Sequence, residues 1–267
     1  MFAPQRTVVD ALFHGDNHVL DWNIFIAGTG PQMIFALEKY DDFYENLVVK
    51  THSLMSGIPI RRFESADRLK QFESKNPDDE YILIGSIGFI ESYLGHIEPD
   101  YYPEFLSGWF GREIWKADKW PLGKKVFIKP SDKYKRFNGM VTNGGYKGKK
   151  KGPYICSEVV NFINEWRYYI ADGEVVFSAW YMGQDENIKA PELHINWPKD
   201  FCGAVDFGRV SDGRILLVEA QHPYGIGWYG KTSDHNEFIK WSIAGWRYMK
   251  GFRALSSVGY EQRSSKP

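Results

Sequence analysis

The stretch Ala204-Val-Asp-Phe-Gly-Arg-Val-Ser-Asp-Gly-Arg-Ile-Leu-Leu-Val-Glu-Ala-Gln-His-Pro223 reads as a β-hairpin. Two apolar runs flank Asp212-Gly213, a dipeptide favoured where both central residues of a two-residue turn take positive φ. With that pair at the turn centre, Asp206 lies directly across from Glu219. Alternation along the strand then puts Gln221 on the same face as Glu219. Like charges opposed on one sheet face repel unless positive charge sits between them. Two carboxylates and an amide oxygen suit a hard divalent cation such as Mg2+, so Asp206, Glu219 and Gln221 are the candidate metal ligands.

Upstream, Trp166–Ile170 and Glu174–Tyr181 flank Ala171-Asp-Gly173, which predicts a second hairpin. Glu165 and Arg167 would share a strand face, either as part of a site or as a cross-strand ion pair. Val126-Phe-Ile-Lys-Pro130 is an apolar strand stopped by proline, so Lys129 leaves the strand as one ammonium. Such a lysine can meet a phosphate as a point charge, although a strand-end lysine reaching to water is the commoner case. Tyr154-Ile-Cys-Ser-Glu158 is another strand, and Val159 and Val160 follow at a candidate hinge. Their backbone groups can read the edge of a flat heterocycle. Between these strands, Lys133-Tyr-Lys-Arg-Phe-Asn-Gly139 and Lys147-Gly-Lys-Lys-Lys-Gly152 are basic, glycine-punctuated segments. They read as solvated loops or, for Lys133 to Gly152, as a lid over a polyanion.

The N-terminal third has an α/β texture. Ile24–Ile26 reads as a short strand before Gly28–Pro31, Gln32–Tyr40 as a helix and Leu47–Lys50 as a strand. Ser65 caps a helix to Glu73, Tyr81–Ile84 is a buried strand, and Gly85-Ser-Ile-Gly88 leads into a helix over Phe89–Leu94. The strand–turn–helix step can offer N–H groups to an anion or be ordinary packing. Glu192–Asp200 reads as irregular, Ser233–Gly251 as a helix capped by Ser233 or Asp234, and the last dozen residues as fraying.

Composition narrows the class. The chain has 267 residues, a formal net charge of −1 and ten tryptophans, so it is a folded, aromatic-rich protein without a global field that would draw nucleic acid or membrane. Cys156 and Cys202 make neither a disulfide framework nor a metal-ligand spacing. With no secretory-signal pattern and no apolar run near the ~20 residues that span a bilayer, the expectation is a cytoplasmic protein without a membrane partner. Walker A, GxGxxG and GxSxG patterns do not occur.

The ordered pieces Phe127-Ile-Lys-Pro130, Ser157-Glu-Val-Val160, Glu165-Trp-Arg167, Asp206 and Glu219-Ala-Gln-His-Pro223 resemble the ATP-grasp superfamily, with a local fit to compact members found in bacteria and their phages. The resemblance implies an N-terminal α/β pre-grasp lobe over residues 1–115. It also implies a small central α+β lobe over 116–160 and a C-terminal antiparallel-sheet lobe over 161–267, with ATP between the last two. It implies that Lys129 contacts the α/β-phosphates, with Lys135 nearby in the cofactor set. Glu158 with the Val159–Val160 backbone would hold adenine, and Glu165 would take the ribose hydroxyls or brace the site. Asp206, Glu219 and Gln221 would hold Mg2+. The activity implied is ligation of a small-molecule or peptide carboxylate to an amine, with Lys129 and Arg167 as catalytic cations. A nucleotide-binding module without turnover that binds a protein or nucleic acid, or a phosphotransferase, stays open on the same scaffold. The chain departs from the family pattern at three places: a charged segment replaces the Gly-rich phosphate loop, Cys202-Gly-Ala-Val205 carries no cation before Asp206, and the earlier ATP-contacting lysine has no single equivalent among Arg112, Lys116 and Lys119. Arg167 or Lys199 would have to supply the missing charge beside Asp206.

Overall fold

A computed structural model of the chain describes residues 30–39, 43–132, 136–145 and 151–264, with backbone alone over 252–264. The expected strand at Ile24–Ile26 and the site candidate Lys135 lie outside the described residues.

Three sheets organise the chain. The first is parallel, in the order β2-β1-β3, from β1 (Met33–Glu38), β2 (Ile60–Phe63) and β3 (Glu80–Ile84). Helices α1 (Tyr44–Ser56), α2 (Ala66–Glu73) and α3 (Ile87–Leu94) follow the three strands in turn. The Ser65 and Ser86 hydroxyls cap α2 and α3 by accepting from the N–H of Arg68 and Phe89. Two expectations are reversed here. Gln32–Tyr40 is not a helix, because its Ile34–Leu37 run is the central strand of a parallel sheet and is buried on both faces. Leu47–Lys50 is not a strand, because Val48 and Val49 turn one face of α1 into the core, where burial outweighs the modest helix penalty of β-branched residues.

The second sheet, β4-β7-β5-β6, is antiparallel and joins β4 (Ile114–Ala117), β5 (Val126–Pro130), β6 (Met140–Thr142) and β7 (Tyr154–Ser157). The segment read as a loop-like lid over Lys133–Gly152 therefore contains an edge strand, Met140–Thr142, paired with β5. The third sheet, β11-β10-β8-β9, is antiparallel and is built from two hairpins: β8 (Phe162–Ala171) with β9 (Glu174–Gly183), and β10 (Gly203–Val210) with β11 (Ile215–Gln221). At the first hairpin Asp172 and Gly173 both take positive φ, 50° and 74°, as the Asp-Gly signal requires.

The second hairpin reaches the expected pairing by another route. Its turn is a three-residue loop, not a two-residue one: Val210 accepts from the Gly213 N–H, and its own N–H donates to the Arg214 carbonyl. Only Gly213 of the Asp-Gly pair is left-handed, at φ 90°. That loop sets Phe207 opposite Leu217, and continued regularly it would set Asp206 opposite Val218. A β-bulge between Asp206 and Phe207 absorbs one residue of β11 and brings Asp206 opposite Glu219. Arg112 fixes the bulged strand, donating to the carbonyls of Leu217 at 2.7 Å and Val218 at 3.4 Å, and to that of Phe110.

The last helix, α4, spans His235–Ser264, so it runs past Gly251 into the stretch expected to fray. A short 3-10 helix over Thr232–Asp234 precedes it, and Asp234 accepts from the Lys231 N–H, which replaces the simple cap that the sequence suggests. Phe238, Trp241 and Trp246 of α4 join one core with Phe35, Leu37 and Ile82 of the first sheet and with Tyr169 and Ala204 of the third. Each such side chain removed from water contributes about 2–3 kcal/mol. The opposite face of the third sheet buries Trp166, Tyr168, Val205 and Phe207 against a 3-10 helix at Glu104–Trp109. The second sheet has its own small cluster, Ile128, Phe137, Tyr154 and Cys156.

Replacing Arg112 with methionine strands the Leu217 and Val218 carbonyls next to the bulge. The expected loss is about 2–4 kcal/mol in denaturant unfolding, since hydrogen bonds to a charged group are worth about 1.5–3 kcal/mol and their buried acceptors stay unsatisfied.

Candidate nucleotide and metal site

One face of the third sheet changes character along its length. Under α4 it carries Tyr169 and Ala204; one step further along, the same alternation presents Arg167 on β8, Asp206 on β10, and Glu219 and Gln221 on β11. Glu165 follows Arg167 on that face, opposite Gly208. The predicted residues Glu165, Arg167, Asp206, Glu219 and Gln221 are thus gathered on one surface.

The charges are compensated by protein cations. Arg167 grips Asp206 in a bidentate pair, with Nε to Oδ1 and Nη2 to Oδ2 both at 2.7 Å. Arg167, not Lys199, occupies the place of the cation absent from Cys202–Val205. The pair is almost sealed from water, the side chains being 5% and 2% exposed. Burial alone would pull the Arg167 pKa down, but Asp206 overrides it and holds the guanidinium firmly charged. The rings of Tyr181 and Tyr229 lie 4.8 Å and 5.2 Å from its guanidinium carbon. Glu219 has a different partner. Lys129 reaches across from β5 of the second sheet and donates to Glu219 Oε2 at 2.5 Å. Gln221 donates through Nε2 to Glu219 Oε1. Burial works against the Lys129 ammonium, yet Glu219 and Tyr102 raise its pKa overall. Tyr101 and Tyr102 present ring faces 4.0 Å and 5.0 Å from Nζ.

Glu165 is the perturbed acid of the site. Burial first, then the charges of Asp206 and Glu219, push it up from its ordinary 4.5 to about 7 against the opposing pull of Arg167 and Arg112. The hinge residues lie where β7 passes into β8. Glu158 is exposed, its carboxylate accepts from the Glu113 N–H at 3.0 Å, and its own N–H donates to the Glu113 carbonyl at 3.1 Å. Val159 is exposed and Val160 half-buried, so their backbones stand at the surface of the link between the second and third sheets.

The donor set fits Mg2+ in part. Asp206 faces Glu219 directly, Gln221 touches Glu219, and hard oxygen ligands are what that ion takes. Among the described residues no three His, Cys, Asp or Glu side chains converge on a metal position, so the acid content of such a centre is this pair. Magnesium arriving with a triphosphate fits that set, because it keeps several waters and takes phosphate oxygens beside one or two carboxylates.

Sequence reasoning missed Arg112 as the anchor of the bulge, and missed the four tyrosines 101, 102, 181 and 229 around the two cations. The high aromatic content was the signal available; nothing in the local sequence assigns these rings to those charges.

A charged sheet face opposed by a lysine from a second antiparallel sheet, with a hinge between the sheets, is the layout of an ATP-grasp domain. Residues 109–241 match a family model described as an ATP-grasp domain, family 2 of its clade, and the chain belongs to the ATP-grasp superfamily through this domain. Among solved structures, the chain is similar to the ATP-grasp ligase PsnB complexed with minimal precursor (8% identity, TM-score 0.47, covering 77% of this chain and 97% of that one). It is similar also to D-alanine–D-alanine ligase from Bacillus anthracis complexed with ATP (11%, 0.43, 85% and 99%). N5-carboxyaminoimidazole ribonucleotide synthetase from Thermotoga maritima is a third such structure (11%, 0.47, 80% and 76%). No curated protein matches the sequence. Among the described residues no helix is long and apolar enough to cross a membrane.

Two outcomes follow from these charges. Arg167→Met leaves Asp206 buried and unpaired, and equilibrium unfolding should show a loss of about 3–5 kcal/mol. The folded state holds the Glu165 proton more tightly than the unfolded chain does, so this group's contribution to stability falls as pH rises from about 4.5 to 7 and is flat above that. Glu165→Gln should remove that slope and gain roughly 2–3 kcal/mol on the wild type above pH 7, read from unfolding curves between pH 4.5 and 8.

Proposed function

We propose that this protein uses Mg·ATP to join a carboxylate to an amine. The observation that carries the reading is the crossed pair of ion pairs, Lys129–Glu219 between sheets and Arg167–Asp206 within one, in a domain of ATP-grasp type. A triphosphate lying between the two sheets gives Lys129 a phosphate in place of Glu219. It also brings a divalent ion that takes the released Glu219 carboxylate beside Asp206 and Gln221. Each buried charge exchanges one opposite partner for another, so none is left bare, which would cost several kcal/mol. The Val159–Val160 backbone supplies the edge that adenine meets, and Glu165 lies on the sheet face toward the ribose.

In the reaction a substrate carboxylate oxygen attacks the γ-phosphorus as the bond from the γ-phosphorus to the β,γ-bridging oxygen breaks, giving an acyl-phosphate and ADP. The amine nitrogen, having lost a proton to solvent, attacks the acyl carbon. Phosphate leaves with the former carboxylate oxygen, and the second amine proton is released as the amide forms. Bound Mg2+ would neutralise the phosphoryl group in transfer. Lys129 steadies the phosphates, and Arg167 keeps Asp206 ionised and aimed. Water has to be kept from the acyl-phosphate, and closure of the second sheet on the third does this.

ADP release measured over mixtures of carboxylates and amines tests the reading. Turnover should vanish with a chelator, and Lys129→Ala, Asp206→Asn and Glu219→Gln should each lower kcat by about 100-fold or more, the scale expected when a preorganised charge is removed. ATP binding with no ADP under any mixture would instead favour a module without turnover. A stable phosphorylated product formed without amine would favour a phosphotransferase.

A further inference from the structure

A cavity of about 450 Å3 lies beside the charged centre, between the first sheet, α3 and α4. The size is that of a small-molecule pocket. Two contacts tie it to the nucleotide site. Its wall includes Gly227, whose carbonyl accepts from Arg167 Nη1 at 3.5 Å and from the Tyr169 hydroxyl at 2.7 Å. The wall segment also begins at Pro223, two residues beyond Gln221. That segment is pressed tightly into place: a Cβ on Gly225 would stand 2.3 Å from Ile87, and one on Gly245 of α4 would stand 2.5 Å from Pro223.

The lining selects a ligand class. Trp241, Trp246, Phe238, Ile84, Ile87 and Tyr224 make most of it apolar and aromatic. Among the described residues that line it, Glu45 is the sole charged group, and no lysine or arginine faces it. The Trp228 N–H donates to Glu45 Oε1 at 2.7 Å, which fixes the carboxylate at the cavity edge. The start of α3, the one feature here that attracts anions, is already served: Glu38 accepts from the Ser86 N–H at 2.8 Å. An acidic or phosphorylated ligand would meet two carboxylates and no cation. An ammonium would meet Glu45 and aromatic faces, both of which attract it, and an apolar body would fill the remainder.

Resting on the ligase reading above, we propose that this cavity is the acceptor site and that the acceptor is a primary amine bearing a bulky apolar group and no free carboxylate. Calorimetric titration of the full chain without nucleotide, using 2-phenylethylamine, ethylamine and glutamate as probes, tests it. The expected result is binding of 2-phenylethylamine at least tenfold tighter than ethylamine or glutamate. Glu45→Gln, which can still accept from Trp228, should weaken 2-phenylethylamine by tenfold or more. Ser242→Leu should fill the cavity and do the same, with Mg·ATP affinity kept in both variants as the check on folding. Equal binding of ethylamine and 2-phenylethylamine, or full affinity in both variants, overturns the proposal. The two readings fail separately. Tight 2-phenylethylamine binding with no ADP release in any mixture removes the ligase and leaves the amine site. ADP release driven equally well by ethylamine removes the apolar acceptor and leaves the ligase.

Discussion

The ammonium of Lys129 and the carboxylate of Glu219, 2.5 Å apart and nearly dry, join two sheets that share no strand. The rest of the site is arranged around this bond. Tyr101 and Tyr102 shield the cation, Gln221 holds the second oxygen of the anion, and the bulge keeps Glu219 level with Asp206. Opposite charges buried together are tolerable only while paired, so the site is tuned to accept a ligand that brings both signs at once. Magnesium nucleotide is such a ligand. A free nucleotide or a free ion would satisfy one partner and abandon the other.

The second ion pair differs in kind. Arg167 and Asp206 satisfy each other through two parallel hydrogen bonds within one sheet, and Arg167 also touches the Gly227 carbonyl. This pair gives the centre rigidity, whereas the Lys129 pair gives it exchangeability. Glu165, close enough to feel both acids, takes the cost of crowding three carboxylates on one face and holds its proton to about pH 7.

Much of this was legible in the chain because strand alternation is a strict code. Once Asp206 and Glu219 were set in register, the faces of Gln221, Arg167 and Glu165 followed, and the strand-lysine-proline piece placed Lys129 at a sheet end. The register itself came out right although its premise was wrong: a three-residue turn and a one-residue bulge cancel, and no local residue preference announces a bulge whose anchor, Arg112, lies about a hundred positions away. Met33–Glu38 and Tyr44–Ser56 exchanged their expected forms for a related reason. Helix-forming residues become a strand when both faces are buried, and a β-branched pair becomes helical when one face is. The amine cavity was not legible, since Glu45, Ile87, Gly227 and Trp246 meet only through tertiary packing.

The sharing of one core by the first sheet, α4 and the third sheet governs how the molecule can move. Those elements are bolted together by tryptophan and phenylalanine, while the second sheet stands on a cluster of four buried side chains and a short exposed link at Glu158–Val160. The light part therefore swings against the heavy part, with Lys129 as its latch. A substrate held in the aromatic cavity rides on the stationary frame, and the nucleotide is delivered to it by the jaw that carries the lysine.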